Sequence, residues 1–398
     1  MKIRKLKFYE FVFIIFTLIL VGISAHFILI DRNSFWRLIY PVQARLSIMT
    51  IQCSDESPEW MRSLLSEIIL EQKNLSNQLA YINDYNQLFA CQSGWVGTTG
   101  FSKLVTENTR FRYASMTKIL TNDAVINLLN QEKINLNDPF VSIFDELQNQ
   151  NFKDERIKNI TIGDLLQQRS GFDRLRSEDI MFSTRETPWC PRNLNKLLAI
   201  KLDSDPNEYY AYDNRNSCLL GAVIERVSAM SYREYMAQKY NFIQNNIKFI
   251  DSDYFADEVK YDFRNNDFWM ESDDNSFHFN ELSSSAGLTG SASALAQLIK
   301  PMLNRKPYNI LNISDESLKS CNINTFKSCN GFAMWVYQRD SKSKKVFFRN
   351  GGLPAATSLT TISEAGEVVV WVGNGASLLD KKFDENLLEK KFYQILDK

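Results

Sequence analysis

Apolar side chains run almost unbroken from Phe11 to Ile30, and twenty such residues in a helix are long enough to cross about 30 Å of hydrocarbon. Lys2, Arg4, Lys5 and Lys7 precede the run, and Asp31 and Arg32 follow it. The basic flank predicts residues 1–10 as a cytoplasmic tail, 11–30 as a single membrane anchor and the rest of the chain outside. A cleaved signal peptide is the competing reading, since Ile23-Ser24-Ala25 loosely resembles a cleavage site. Apolar residues continue through His26 to Ile30, past the point where a polar mature end would begin, and this favours the uncleaved anchor. The expected location is the inner membrane, with the large domain periplasmic or extracellular.

Past the anchor the period changes. Residues 31–57 read as a connector, and residues 58–398 as one large domain. Leu64, Leu65, Ile68 and Ile69 share one helical face within 58–73. Strand-like runs at 80–82 and 88–91 flank the turn Asn83-Asp84-Tyr85-Asn86. Residues 117–130 predict an amphipathic helix with Ile119, Leu120, Ala124, Val125, Leu128 and Leu129 on its buried side. Short helices are expected at 161–168, 193–202, 218–228 and 232–240, and a loop at 251–280, where no period shows. A helix at 292–303 is followed by strands at 332–338, 345–349, 357–362 and 368–372, with Glu364-Ala365-Gly366 as a hairpin turn, and by a helix at 381–396. A hairpin and helix at the start and a meander and helix at the end predict an α+β fold. Its antiparallel sheet would be flanked by helices and would carry an inserted all-helical subdomain.

The net charge of −1 and the pI near 6.3 leave no basic footprint for nucleic acid. Six cysteines (Cys53, Cys91, Cys190, Cys218, Cys321, Cys329) are compatible with an oxidising compartment. Cys321 and Cys329 are the best candidate pair. Cys218, in an apolar helical run, is read equally well as a buried free thiol. The chain has 2 histidines, His26 in the apolar run and His278 in a polar stretch, and no Cys-x-x-Cys pair. Histidine-rich zinc sites are excluded, no cofactor is implied, and a hydrolytic site would rest on lysine and tyrosine.

Ser115-Met116-Thr117-Lys118 offers such a site. A lysine three positions after a serine lies on the same helical face, so its amine can reach the hydroxyl one turn back. Serine needs a neighbouring base, and lysine serves only if burial and nearby cations bring its pKa down to roughly 7–8. The same tetrapeptide spacing recurs at Ser341 and Lys344, in a charged turn that reads as exposed.

Two further motifs lie downstream, Tyr212-Asp213-Asn214 before an apolar helix and Arg349-Asn350-Gly351-Gly352 at a strand end. In this order the three resemble the S-x-x-K, Y-x-N and K/H-T-G elements of the serine β-lactamase and penicillin-binding-protein superfamily, most of all its class C-like branch. Ile160 to Gly171 and Ser284-Ser285-Ala286-Gly287-Leu288 resemble further segments of that family. The resemblance implies Ser115 as nucleophile and Lys118 and Tyr212 as its proton-handling partners. It implies Asn214, Arg349, Asn350, Gly351 and Gly352 as substrate-binding residues, with the N–H groups of Ser115 and Gly352 as an oxyanion hole. The expected partner besides the membrane is a small-molecule or peptide substrate, and the expected activity is acyl-enzyme hydrolysis of an amide, lactam or ester. A D,D-carboxypeptidase or D-aminopeptidase is the alternative of the same class, and a degenerate, non-catalytic binding or sensor module that of another. The third motif departs from the family, because Arg349 replaces lysine or histidine and Asn350 replaces threonine. Arginine keeps the charge but exchanges no proton near neutrality, so Arg349 is expected at the rim of the site, gripping a carboxylate.

Overall fold

The computed structural model describes residues 7–30, 32–183, 185–251, 254–263, 277–375 and 386–397. Helix α1 (Phe8–Leu29) begins three residues before the expected anchor, and none of its most apolar stretch is buried against the rest of the molecule. The segment read as a connector is largely structured, as α2 (Arg32–Met49) and strand β1 (Gln52–Cys53). Trp36, Tyr40, Ala44 and Ser47 of α2 are buried against α3 (Glu59–Glu71) and its surroundings. Their spacing of four, four and three is a helical face, but the apolar and basic residues on the other side of α2 mask that period.

An eight-stranded antiparallel sheet runs in the order β1, β3 (Leu88–Ser93), β2 (Asn77–Ile82), β11 (Val368–Gly373), β10 (Ala356–Ser363), β9 (Val346–Leu353), β8 (Trp335–Tyr337) and β7 (Cys329–Asn330). The predicted hairpin is β2 with β3. The predicted meander is β8, β9, β10 and β11, with β7 at the edge. Pairing of β11 with β2 joins the two ends of the chain, so the domain is discontinuous in sequence. Side chains alternate between two cores. Leu79, Tyr81, Leu359, Val369 and Trp371 face α2, α3 and α12 (Leu387–Leu396). Ala80, Ile82, Phe347, Ile362, Val368 and Val370 face the helical side.

That side is built on α4 (Thr117–Asn130), the small α5 (Asp145–Gln148), α6 (Ile162–Leu166), α7 (Asn214–Ser228), α8 (Tyr232–Lys239), α9 (Ser283–Ala286) and α10 (Ala292–Met302). A short second sheet, β4 (Phe111–Arg112), β6 (Leu288–Gly290) and β5 (Lys248–Phe249), closes the entrance to α4, and α11 (Asp315–Lys319) packs near β7. The amphipathic reading of α4 is too narrow: only Asn127 and Asn130 reach the surface even in part. Its polar side chains find buried partners instead. Thr121 donates to the Ser284 carbonyl at 2.7 Å, and Asp123 accepts from the Tyr240 hydroxyl at 2.7 Å. Such a helix is held by hydrogen bonds as well as by apolar contact, and periodicity registers only the latter.

All six cysteines pair, as Cys53–Cys91, Cys190–Cys218 and Cys321–Cys329. The expected third pair forms, and Cys218 is not a free thiol. Residues 252–253 and 264–276 of the expected loop, and 381–385 of the expected last helix, lie outside the described residues.

Candidate active site

Ser115 lies in a single 3₁₀ turn (Ala114–Met116) that leads straight into α4. Its neighbour Ala114 has φ +49°, a left-handed conformation that an L-residue adopts only where the surroundings hold it. They do so here: the Tyr113 N–H donates to the Leu288 carbonyl at 2.9 Å, and the Tyr113 carbonyl accepts from the Ser358 hydroxyl at 2.8 Å. Strand β9 passes so close that a Cβ on Gly351 would lie 2.6 Å from the Tyr113 carbonyl oxygen and 2.9 Å from the Ser115 nitrogen. Gly351 therefore permits the approach of sheet to nucleophile turn. The next residue, Gly352, has open space around the position of a Cβ.

Tyr212 and Asn214 reach the same point from the start of α7. The middle residue of Tyr212-Asp213-Asn214 is the N-cap of that helix: the Asp213 carboxylate accepts from the Arg215 N–H at 2.9 Å. The cap fixes the chain direction on both sides of itself, so the tyrosine enters the cleft just before the helix and the asparagine in its first turn.

The four side chains form one network. The Ser115 Oγ is 2.8 Å from the Tyr212 hydroxyl and accepts from Lys118 Nζ at 3.1 Å. Lys118 also donates to Asn214 Oδ1 at 2.7 Å and to the Ser285 carbonyl at 2.8 Å. Three acceptors thus satisfy the three protons of a fully buried ammonium. Asn214 is oriented in turn by its Nδ2, which donates to Asp179 at 2.6 Å. Ser341, by contrast, is in an exposed turn, and Lys344 beside it is exposed too.

Burial brings the Lys118 pKa down to about 8; Tyr212 opposes that shift and Arg349 adds to it. For Tyr212 burial alone would raise the pKa, but the charges of Lys118 and Arg349 and the hydrogen bond with Ser115 outweigh it and bring the phenol below its ordinary value. With a pKa near 8, about a tenth of Lys118 is neutral at pH 7. The site therefore contains a group that can accept the serine proton without any histidine.

Arg349 is not at the rim. It is 1 % exposed, with its guanidinium carbon 5.5 Å from the ring centroids of both Tyr212 and Trp335. Its Nε and Nη2 have no hydrogen-bond acceptor among the described residues. Alternation along β9 explains the placement, since Phe347, Arg349 and Gly351 share the face that looks to the nucleophile. Asn350 consequently faces the other way, its Nδ2 3.5 Å from Glu389 Oε1 of α12, and its side chain is not brought to Ser115. A third cation was not foreseen. Exposed Arg174 lies 4.6 Å from the Tyr212 ring centroid, so Lys118, Arg174 and Arg349 all surround one tyrosine. Arg174, Asp179 and Trp335 carry no spacing signal. Ser285 lies in a segment that the sequence marked without giving it a role.

The Beta-lactamase family model matches residues 79–392, most of the chain. The chain belongs to the Beta-lactamase family. One relative, the probable fimbrial assembly protein FimD (serogroup H1) of Dichelobacter nodosus, is 32 % identical over 395 residues, covering 99 % of this chain and 98 % of its own. Among solved structures of this fold, the D-amino acid amidase from Ochrobactrum anthropi SV3 is similar with a TM-score of 0.62 at 16 % identity, covering 84 % of this chain and 98 % of that one. The β-lactamase/D-alanine carboxypeptidase from Pseudomonas syringae gives a TM-score of 0.61 at 13 % identity, covering 84 % and 97 %. Across the family's sheet-and-helix frame, then, this chain carries a Ser-Lys-Tyr network with an arginine behind the tyrosine.

Proposed function

We propose that this protein is a membrane-anchored serine hydrolase that works through an acyl-enzyme on an amide, lactam or ester. The observation that carries the reading is the Ser115 hydroxyl, held within hydrogen-bond reach of both Lys118 and Tyr212 where burial brings the lysine down to about 8. Lys118 in its neutral form takes the serine proton as Ser115 attacks the carbonyl. Tyr212 passes a proton to the leaving group. The backbone N–H groups of Ser115 and Gly352 receive the developing oxyanion, a contribution of roughly 3–4 kcal/mol per donor in hydrolases. Asn214 holds Lys118 and meets the substrate. Water then attacks the ester, and the same pair handles the proton in reverse. The Tyr-x-Asn form of the second motif supports a class C-like branch of the family. The names of the fold neighbours favour amides of D-amino acids as substrates, as a D,D-carboxypeptidase or D-aminopeptidase would take. The test is intact-protein mass spectrometry after exposure to a fluorophosphonate and, separately, to a penicillin. An adduct on Ser115 that decays with time supports turnover, and no adduct with either reagent removes the reading.

The names of the full-length relatives favour a second statement, that this chemistry serves fimbrial assembly. In a deletion strain, the wild-type gene is then expected to restore surface fimbriae and Ser115→Ala to leave them absent. Full restoration by Ser115→Ala would favour the non-catalytic binding module.

The anchor is tested by topology. With four basic residues ahead of α1, protease added to spheroplasts is expected to digest the large domain, and complete protection would reverse the orientation.

A further inference from the structure

Helix α2 is apolar on two opposite faces. Trp36, Tyr40, Ala44 and Ser47 are packed into the domain, where the Tyr40 hydroxyl donates to the Ile69 carbonyl and the Ser47 hydroxyl to the Leu75 carbonyl. On the other side Phe35, Leu38, Val42, Leu46 and Met49 are 36 %, 68 %, 62 %, 42 % and 81 % exposed. At 3.6 residues per turn these five fall within an arc of about 80°, diametrically opposite the packed face. A soluble helix has charged residues there. Here exposed Arg45 borders the stripe, and its aliphatic stem can lie along it while the charge stays at the surface.

What covers this face follows from where α2 starts. Helix α1 ends at Leu29 and α2 begins at Arg32, so two residues link them and the helix ends are about 10 Å apart at most. If α1 spans the membrane, the first turn of α2 is at the bilayer surface. The packed face of α2 fixes the helix to the domain, so the stripe turns away from the domain. An apolar face bordered by arginine, tethered at the headgroup level, is the pattern of a helix lying in the membrane interface.

We propose that α2 lies in the outer-leaflet interface of the anchoring membrane, with Phe35, Leu38, Val42, Leu46 and Met49 in lipid, and so holds the hydrolase domain flat on the bilayer. The proposal rests on the anchored reading of α1. Its consequence is that the domain works at the membrane surface, on substrates found there, and does not swing on a tether.

The test uses the full-length protein in vesicles of phosphatidylethanolamine and phosphatidylglycerol. A bimane fluorophore is attached to Val42→Cys, or, as the water-exposed reference, to Ser341→Cys. The Val42 label is expected to be quenched by brominated lipid and to be at least fivefold less accessible to iodide than the Ser341 label. Equal iodide access at the two positions overturns the proposal. So does a disulfide between two Val42→Cys chains, which would give the stripe to a second copy. Carbonate extraction is run in parallel. Release of the protein from the vesicles would mean that the anchored reading itself has failed and the proposal with it. Retention in the pellet with a water-exposed Val42 would sink the proposal alone.

Discussion

Ser115→Ala is expected to abolish covalent labelling by a fluorophosphonate, while Ser341→Ala leaves it unchanged. Both serines are followed three residues later by lysine, so the local spacing does not separate them. Their surroundings do. The lysine behind Ser115 is buried, brought down to about 8 and shared between three acceptors, while Lys344 is in water. Lys118→Ala should lower the acylation rate by about 10²–10⁴-fold, the scale of a lost general base. In the wild type the rate is expected to rise with pH toward a limb near 8, because the base form of Lys118 is the minor form below its pKa. Undiminished labelling of the Ser115→Ala protein would remove the central reading. A rate in Lys118→Ala within a few-fold of wild type would pass the role of base to Tyr212 alone.

The second large effect is expected at Arg349. A rim arginine that grips a carboxylate would affect only substrates bearing one. The buried guanidinium beside Tyr212 and Trp335 does something else: its charge lowers both Lys118 and Tyr212. Arg349→Met keeps much of the buried volume and removes the charge. Both pKa values then move upward, the basic form of the pair becomes rarer at neutral pH, and the ascending limb of kcat/KM moves to higher pH. At pH 7 a loss of kcat/KM is expected, alike for carboxylate-bearing amides and short neutral esters. Arg349→Lys should recover part of it. A loss confined to carboxylate-bearing substrates, with an unmoved limb, would mean that Arg349 contacts the substrate directly.

Much of this site was legible because it is built from short-range geometry. Serine and lysine one helical turn apart meet at the start of α4, whereas Tyr212 and Asn214 were marked only by the motif's resemblance to the family, and the N-cap at Asp213 that sets them in place is a feature of the folded chain. Arg349 shows the limit. Its identity and its strand were readable, but whether it faced substrate, core or solvent depended on which face of β9 meets the nucleophile turn, and that is set by pairing with β10 and β8. Asn350 went to the opposite face for the same reason. Arg174 and Asp179 come from a loop with no period, so only the folded chain brings them to Tyr212 and Asn214.

The sequence by itself determined the apolar run, the hairpin and meander, most of the helices and the order of the three motifs, since each depends on residues close in the chain. It could not show that residues 32–49 form a helix docked on the domain, because the packed stripe is interleaved with an apolar stripe on the outer face. Nor could it show that α4 is buried almost all round, because buried polar side chains look like surface ones until their partners are known. Tertiary structure alone decided the pairing of Cys190 with Cys218 and the cluster of three cations around Tyr212. All of these are contacts between distant segments, and a one-dimensional pattern carries no term for the distance between them.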